Sequence, residues 1–362
     1  MSAHHLYDTW FMRIRELLPA ERITRVRNVA WMVVGLCLSQ SVHLSCIARR
    51  VPFGAKLTSI TDRFRRLINN QAFAVHAWYR PIAKELLAEA ARCGTVRLIL
   101  DGSKVGAGHQ LLIVALAYRK RALPIAWDWV KSARGHSQTV MQLELLQLVH
   151  SLVPDSAKVV LVGDCEFGDM PVGQQLDQWH WDYVLRQQGD TYVCVSRTKL
   201  VWQSFISLVT GRDEIAWYAH AIVTLKHLHH AHLLAYWATG EKEPWLLMTS
   251  LPEARLALKT YRRRMWIAEM FGDWKHHGVR LEQTHLRGSA HLSRLVFLVA
   301  LLYLWLVTLG ARAIKAGARH LVDRKDRRDL SIFRIGLYLI DRYGTQGRYP
   351  AIRLKPYFES VR

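Results

Sequence analysis

Two apolar runs of this chain end in an aspartate, and that repetition limits the possible folds more than any other feature. TVRLILD (95–101) closes on Asp101, and AKVVLVGD (157–164) closes on Asp164. A short apolar run without polar alternation reads as a strand covered on both faces. Two more such runs lie between them, LLIVALAYRK (111–120) and ALPIAWDWV (122–130). SQTVMQLELLQLV (137–149) then repeats its apolar residues at three- and four-residue spacing, as a helix does. After Asp164, MPVGQQLDQW (170–179) reads as a helix and WDYVLRQ (181–187) as a strand. Three strands, a helix, a strand, a helix and a strand predict an α/β sheet with buried central strands.

An acid directly after a buried strand emerges at the carboxyl edge of the sheet, where α/β folds build their sites. Two carboxylates there can share divalent cations, because Mg2+ takes a few carboxylate oxygens and completes its shell with water and phosphate oxygens. Two such ions about 3.5–4 Å apart stabilise the attacking and leaving oxygens of a phosphodiester. The alternative is structural. Asp101 precedes Gly102 and Asp164 lies upstream of Gly168, so both acids also suit turns or helix caps.

Charge bears on that choice. Lys and Arg number 50 against 29 Asp and Glu, a formal net charge of +21. Such a surplus implies a polyanionic partner, with DNA or RNA ahead of an anionic membrane surface. The five cysteines (Cys37, Cys46, Cys93, Cys165 and Cys194) are widely spaced and form no CxxC. That argues against a disulfide scaffold or a cysteine zinc site and points to a reducing cytoplasm. MSAHHLYDTWFMRIREL has no apolar core, so no signal peptide is expected. LVFLVALLYLWLVTL (295–309) imitates a membrane span but is shorter than the roughly 20 residues one needs. It is expected to be a buried core helix, with no membrane as partner.

Residues 1–90 read as helical. HLSCIARRV and AKLTSITDRFRRLINN are two short helices joined by a turn over Pro52–Gly54. The second carries Arg63, Arg65 and Arg66, as a DNA-contacting helix-turn-helix would, although many small bundles share the pattern. Residues 190–258 hold the strand-like runs TYVCVSR, EIAWYAHAIVTL, HHAHLLAYWAT and PWLLMTSL, with polar turns such as TGRDE and TGEKE between some of them. Helices over 261–277 and 291–309 follow, then a basic tail from Arg312 with a solvated loop at 323–329. The expected divisions are 1–90 (helical, DNA-binding), 91–189 (sheet), 190–258 (β-rich insertion), 259–310 (return to the core) and 311–362 (basic C-terminal region). Gly102, Gly106 and Gly108 lack the GK[ST] of a phosphate-binding loop. HLHHAH (227–232) lies on strand-like sequence without partner acids, so no zinc site is expected.

The stretch YRRRMWIAEMFGDWK (261–275) carries the most chemistry. At 100° per residue, Tyr261, Arg264 and Lys275 share one narrow face, with Ala268 and Gly272 between them. Trp266, Ile267, Met270, Phe271 and Trp274 form the core side. Cations, a hydroxyl and small residues on one face suit a phosphate. A solvated amphipathic face would explain the cations but not the small residues. Glu269 falls about 100° from Ala268.

This stretch resembles the signature helix of DDE transposases of bacterial insertion sequences, in the group with a β-strand insertion in an RNase H-like domain. That helix reads Tyr, two residues, Arg, three residues, Glu, six residues, Lys. Here Tyr261, Arg264 and Lys275 keep every spacing, and Ala268 stands where the acid belongs. GVRLEQTHL (278–286), WLLMTSLP (245–252), LLIVALAYRKRALPIAW (111–127) and GDCEFGD (163–169) are also similar to this group.

The resemblance implies an α/β, RNase H-like catalytic domain interrupted by a β-rich insertion, with an all-helical N-terminal domain. It implies Asp101 and Asp164 as catalytic, metal-binding acids, and Tyr261, Arg264 and Lys275 as contacts to the transposon-end strand. The expected activity is cut-and-paste transposition with two Mg2+ ions, Mn2+ substituting. The expected partners are double-stranded transposon ends and target DNA, bound as a homodimer in the cytoplasm at the nucleoid.

Ala268 cannot bind a cation. Its methyl is read as a replacement that traps a DNA complex, as the mark of a decayed or domesticated copy, or as a sign that Glu269 serves through a local helix distortion. Two rivals follow: a DNA-binding protein without catalysis, and a structure-specific RNase H-like nuclease.

Overall fold

A computed structural model describes residues 3–130, 136–196 and 200–359. The chain divides into two compact units. One comprises Ala90–Ser103 and Gln110–Glu269, and the other Met1–Glu89, Lys104–His109 and Met270–Arg362.

In the helical unit, α1 (Ala3–Leu17), α2 (Ile23–Ser39), α3 (Leu44–Arg49), α4 (Leu57–Asn69) and α5 (Val75–Arg92) account for the N-terminal region; the last turn of α5 belongs to the other unit. The short helix, turn and second helix predicted around Pro52–Gly54 are α3 and α4.

The sheet unit is built on β1 (Val96–Val105), β2 (His109–Tyr118), β3 (Arg121–Trp129), α6 (Thr139–His150), β4 (Val159–Gly163), α7 (Met170–Gln178) and β5 (Asp182–Arg186). This is the predicted alternation. Leu98–Leu100, Leu111–Leu116 and Val159–Val162 are buried, as strands covered on both faces must be. β1 and β4 run parallel, as do β4 and β5.

The insertion supplies β6 (Tyr192–Cys194), β7 (Trp202–Ser204), β8 (Ile215–Val223), β9 (His229–Tyr236) and β10 (Trp245–Thr249). It does not form a sheet of its own. β10 pairs antiparallel with β5, and the strands run in the order β3-β2-β1-β4-β5-β10-β9-β8-β6-β7. The architecture is α/β, and the insertion extends the sheet of the core. HLHHAH falls mainly on β9. His229 is buried there against the Tyr183 hydroxyl at 2.8 Å.

The chain leaves the sheet through α8 (Ala254–Tyr261) and α9 (Trp266–Gly272) and enters the helical unit, where α10 (Ser289–Lys315) and α11 (Ile332–Thr345) follow. At 27 residues α10 is longer than its apolar run and could cross a bilayer by length and composition, yet 89% of its most apolar window is buried within the protein. Trp10 meets Trp305 edge-on at 5.6 Å, and Phe73 meets Phe297 at 5.3 Å. Arg294 is buried in the same core and donates to the carbonyl oxygens of Ile68 and Phe73 at 2.7 and 3.4 Å. α11 packs directly on α10 and was not anticipated in the basic tail. Gly310 and Gly336 let the two backbones touch, since a Cβ on Gly310 would stand 1.9 Å from the Ile332 carbonyl oxygen.

Candidate active site

The register of β1 against β4 decides where the two aspartates lie. Leu100 pairs with Gly163, so Asp101 and Asp164 occupy the next step on neighbouring parallel strands. β4 ends there, whereas β1 continues to Val105. Asp101 therefore sits within its strand rather than at its end, at the edge left where its neighbour has stopped. Asp164 caps a 3-10 turn over Cys165–Phe167 and accepts from the Cys165 amide at 2.9 Å. Asp101 accepts from the Gly102 amide at 2.8 Å. The capping role and the paired placement thus coexist.

Asp101 is the more enclosed of the two, its side chain 15% exposed against 28% for Asp164. Burial pushes its carboxyl up to about 6, against the opposing pull of Arg264 and the Gly102 amide.

Arg264 lies across both acids. One guanidinium nitrogen is 2.6 Å from Asp164 Oδ2 and 3.7 Å from Asp101 Oδ1. Its Nε is buried and has no hydrogen-bond partner among the described residues. The helix over 261–275 is not regular, which corrects the face drawn from 100° per residue. α8 ends at Tyr261, residues 262–265 tighten into a 3-10 turn, α9 follows, and Asp273–His277 widen into a π-helical turn. Residues three apart eclipse in a 3-10 turn, so Arg264 comes round to the side of Tyr261. Tyr261 is buried, its ring edge-on to Trp245 at 5.2 Å. Burial raises its hydroxyl above the ordinary phenol range, and the Asp164 charge adds to that.

Ala268 and Glu269 are both exposed on α9. The Glu269 carboxylate lies 2.9 Å from Arg121 at the start of β3. Lys275 belongs to the helical unit, where its ammonium pairs with Glu282 at 3.0 Å. In that same unit, Arg63 donates to Asn28 at 2.6 Å and stacks over Phe53, Arg65 pairs with Asp62, and Arg66 is exposed. The structure thus gathers Asp101, Asp164, Tyr261 and Arg264.

Two residues escaped the sequence reading. Arg186, at the end of β5, lies 3.8 Å from Asp164 and 3.0 Å from Glu243. Its position matches that of the two acids, one strand further along, and this was the available signal. Glu166 accepts from the Ser137 amide and hydroxyl at 2.7 and 2.6 Å, and its charge also raises Asp101.

The donor set fits a divalent ion between Asp101 and Asp164. A single cationic nitrogen already lies 2.6 Å from one carboxylate and 3.7 Å from the other, and a cation there would offset the burial that disfavours the Asp101 charge. Among the described residues, no third acid, histidine or cysteine joins them.

The family described as "Transposase DDE domain" matches residues 92–305. No curated protein sequence matches the chain. A cryo-EM structure of a piggyBac transposase synaptic complex with hairpin DNA is similar with a TM-score of 0.42 and 11% identity, over 94% of this chain and 78% of that one. The family match spans more than half of the 362 residues: this chain belongs to the DDE transposase domain family.

Proposed function

We propose that the chain binds the inverted repeats at transposon ends as a transposase whose cleavage and strand transfer are impaired by Ala268. The observation that carries this reading is the pair Asp101 and Asp164, set side by side by the β1–β4 register beneath the cation of Arg264. Asp101 and Asp164 would hold Mg2+, or Mn2+ in its place. The ion would polarise the scissile phosphodiester and lower the pKa of the attacking group. Arg264 and Arg186 place positive charge where a phosphate would lie, and the net charge of +21 draws DNA toward the protein. Lys275, Arg63, Arg65 and Arg66 would contact the same DNA from the helical unit. Two ends must be held together, so a homodimer on DNA is the expected assembly.

Ala268→Glu beside the unaltered chain, assayed on labelled end-containing duplex with Mg2+ or Mn2+, tests this reading. Cleavage that appears or rises with Ala268→Glu supports it. Full-rate cleavage by the unaltered chain, abolished by Glu269→Ala, would overturn the assignment of position 268.

A second reading is a regulatory or domesticated DNA-binding protein without catalysis. It is favoured by the exposed methyl of Ala268 and by the engagement of Glu269 with Arg121. Ala268→Glu that binds ends yet never cuts would select it.

A further inference from the structure

We infer that Arg264 is an internal counter-ion that shuts the acid pair against divalent cations until a phosphodiester draws it away. The inference rests on the proposed function, because it takes Asp101 and Asp164 as the cation site, and it adds a coupling between metal and DNA that the reading itself does not require.

The geometry supplies the argument. Two neighbouring carboxylates, one largely buried, repel each other and need a cation. Arg264 provides it from within, with one nitrogen 2.6 Å from Asp164 and 3.7 Å from Asp101. The guanidinium and a divalent ion would compete for the same oxygens, so one must leave before the other binds.

Position 268 sharpens the competition. An acid four residues after Arg264 on a helix would face it and share its charge. Ala268 offers none, and α9 turns Glu269 to Arg121 instead. Among the described residues, the acids paired with Arg264 are Asp101 and Asp164.

Arg264 has few anchors besides the two acids. Its side chain is 20% exposed, and among the described residues its Nε has no hydrogen-bond partner and its remaining polar contact is a 3.8 Å approach to the Met265 sulfur. A phosphodiester offers the planar guanidinium a bidentate partner, whereas the two aspartates each present one oxygen to a single nitrogen. A ligand that binds Arg264 then frees the acid pair, and by linkage metal and DNA favour each other's binding. Arg186, held by Glu243 and the Pro244 carbonyl, stays behind as the fixed charge beside Asp164.

The test is Mn2+ binding by the full chain, measured by isothermal titration and by Mn2+ electron paramagnetic resonance, without turnover. Arg264→Gln and Arg264→Ala are expected to bind Mn2+ about tenfold more tightly than the unaltered chain, in the usual range for coupled sites. Short duplex DNA is expected to tighten Mn2+ binding by the unaltered chain and to leave Arg264→Gln unmoved. Cooperative thermal unfolding of each variant establishes that it is folded, and Arg264→Gln serves if Arg264→Ala is not.

A residue that merely supported the fold would weaken Mn2+ binding when removed, the opposite sign. Equal or weaker binding by both variants overturns the inference while leaving the metal site intact, provided Asp101→Asn abolishes binding. If Asp101→Asn leaves Mn2+ binding unchanged, the acid pair is not the cation site, and the proposed function loses its metal centre together with this inference.

Discussion

Arg121 holds Glu269 at 2.9 Å, with the arginine side chain 10% exposed and the glutamate 58% exposed. The pair ties the start of β3 to α9 on the residue next to Ala268. The acid nearest in sequence to position 268 is therefore engaged outside the Asp101–Asp164 pair. Helix distortions occur at 262–265 and 273–277, on either side of position 269 rather than at it.

Glu269→Gln should accordingly leave chemistry alone. In the Ala268→Glu background it is expected to change end cleavage by less than about twofold and to cost less than about 1 kcal/mol of stability, as partly exposed ion pairs do. Single-turnover cleavage and urea unfolding measure the two quantities. Loss of cleavage would assign Glu269 a direct role.

The pH dependence of stability carries the signature of Asp101. Its carboxyl is raised from 3.8 to about 6 by burial. The folded state thus holds this proton more tightly than the unfolded chain. The resulting stabilisation is complete below about pH 3.8 and is lost as pH rises through about 6. Asp101→Asn removes the penalty, so in chelator the variant is expected to be more stable than the parent at pH 8, by at most about 3 kcal/mol, and nearly equal at pH 4. Denaturant unfolding at both values decides it. A variant less stable at pH 8 would mean that the ion pair with Arg264 outweighs burial.

How much of this was legible beforehand follows from what each signal depends on. RLILD and VVLVGD announced themselves because a strand buried on both faces needs an unbroken apolar run. Asp101 and Asp164 could then be placed at one edge. The register that makes them neighbours depends on hydrogen bonds between distant segments, which no single run encodes. β7 is three residues long, too short for a periodic signal. α11 lay in a tail read by its charge, although IFRIGLYLI carries a helical apolar face that becomes buried on α10. The 3-10 turn at 262–265 was invisible because RRRM suits any helical winding. Arg186 was passed over because one arginine at the end of a strand is unremarkable until β5 is known to stand beside β4.

The close crossing of α10 and α11 gives a stability prediction independent of function. A methyl on Gly336 would lie 2.0 Å from the Leu306 carbonyl oxygen, and one on Gly310 would lie 1.9 Å from that of Ile332. Backbone cannot give way as a flexible side chain can. Gly336→Ala or Gly310→Ala is expected to cost about 3 kcal/mol or more, a large effect for so small a change. Gly54→Ala, with nothing within 4 Å of the added atom, should cost little. Thermal unfolding of the three variants compares them directly, and parity between Gly336→Ala and Gly54→Ala would contradict the packing described.

The three arginines of α4 should separate by experiment, because their environments differ. Arg63 is committed inside the helical unit, donating to Asn28 at 2.6 Å with its guanidinium 5.0 Å from the Phe53 ring. Arg65 is paired with Asp62, whereas Arg66 is exposed in the last turn of the helix. If α4 meets the DNA backbone, Arg66→Ala should lower the slope of log affinity against log salt by about 0.9, the value for one lost phosphate contact, without shifting the melting temperature. Arg63→Ala should instead cost about 1–2 kcal/mol of stability through the lost hydrogen bond and ring contact. Fluorescence anisotropy with end DNA across a sodium chloride series, beside thermal unfolding, reads both. An unchanged salt slope for Arg66→Ala would move the DNA path off α4 and leave α3 and α4 as part of a structural bundle.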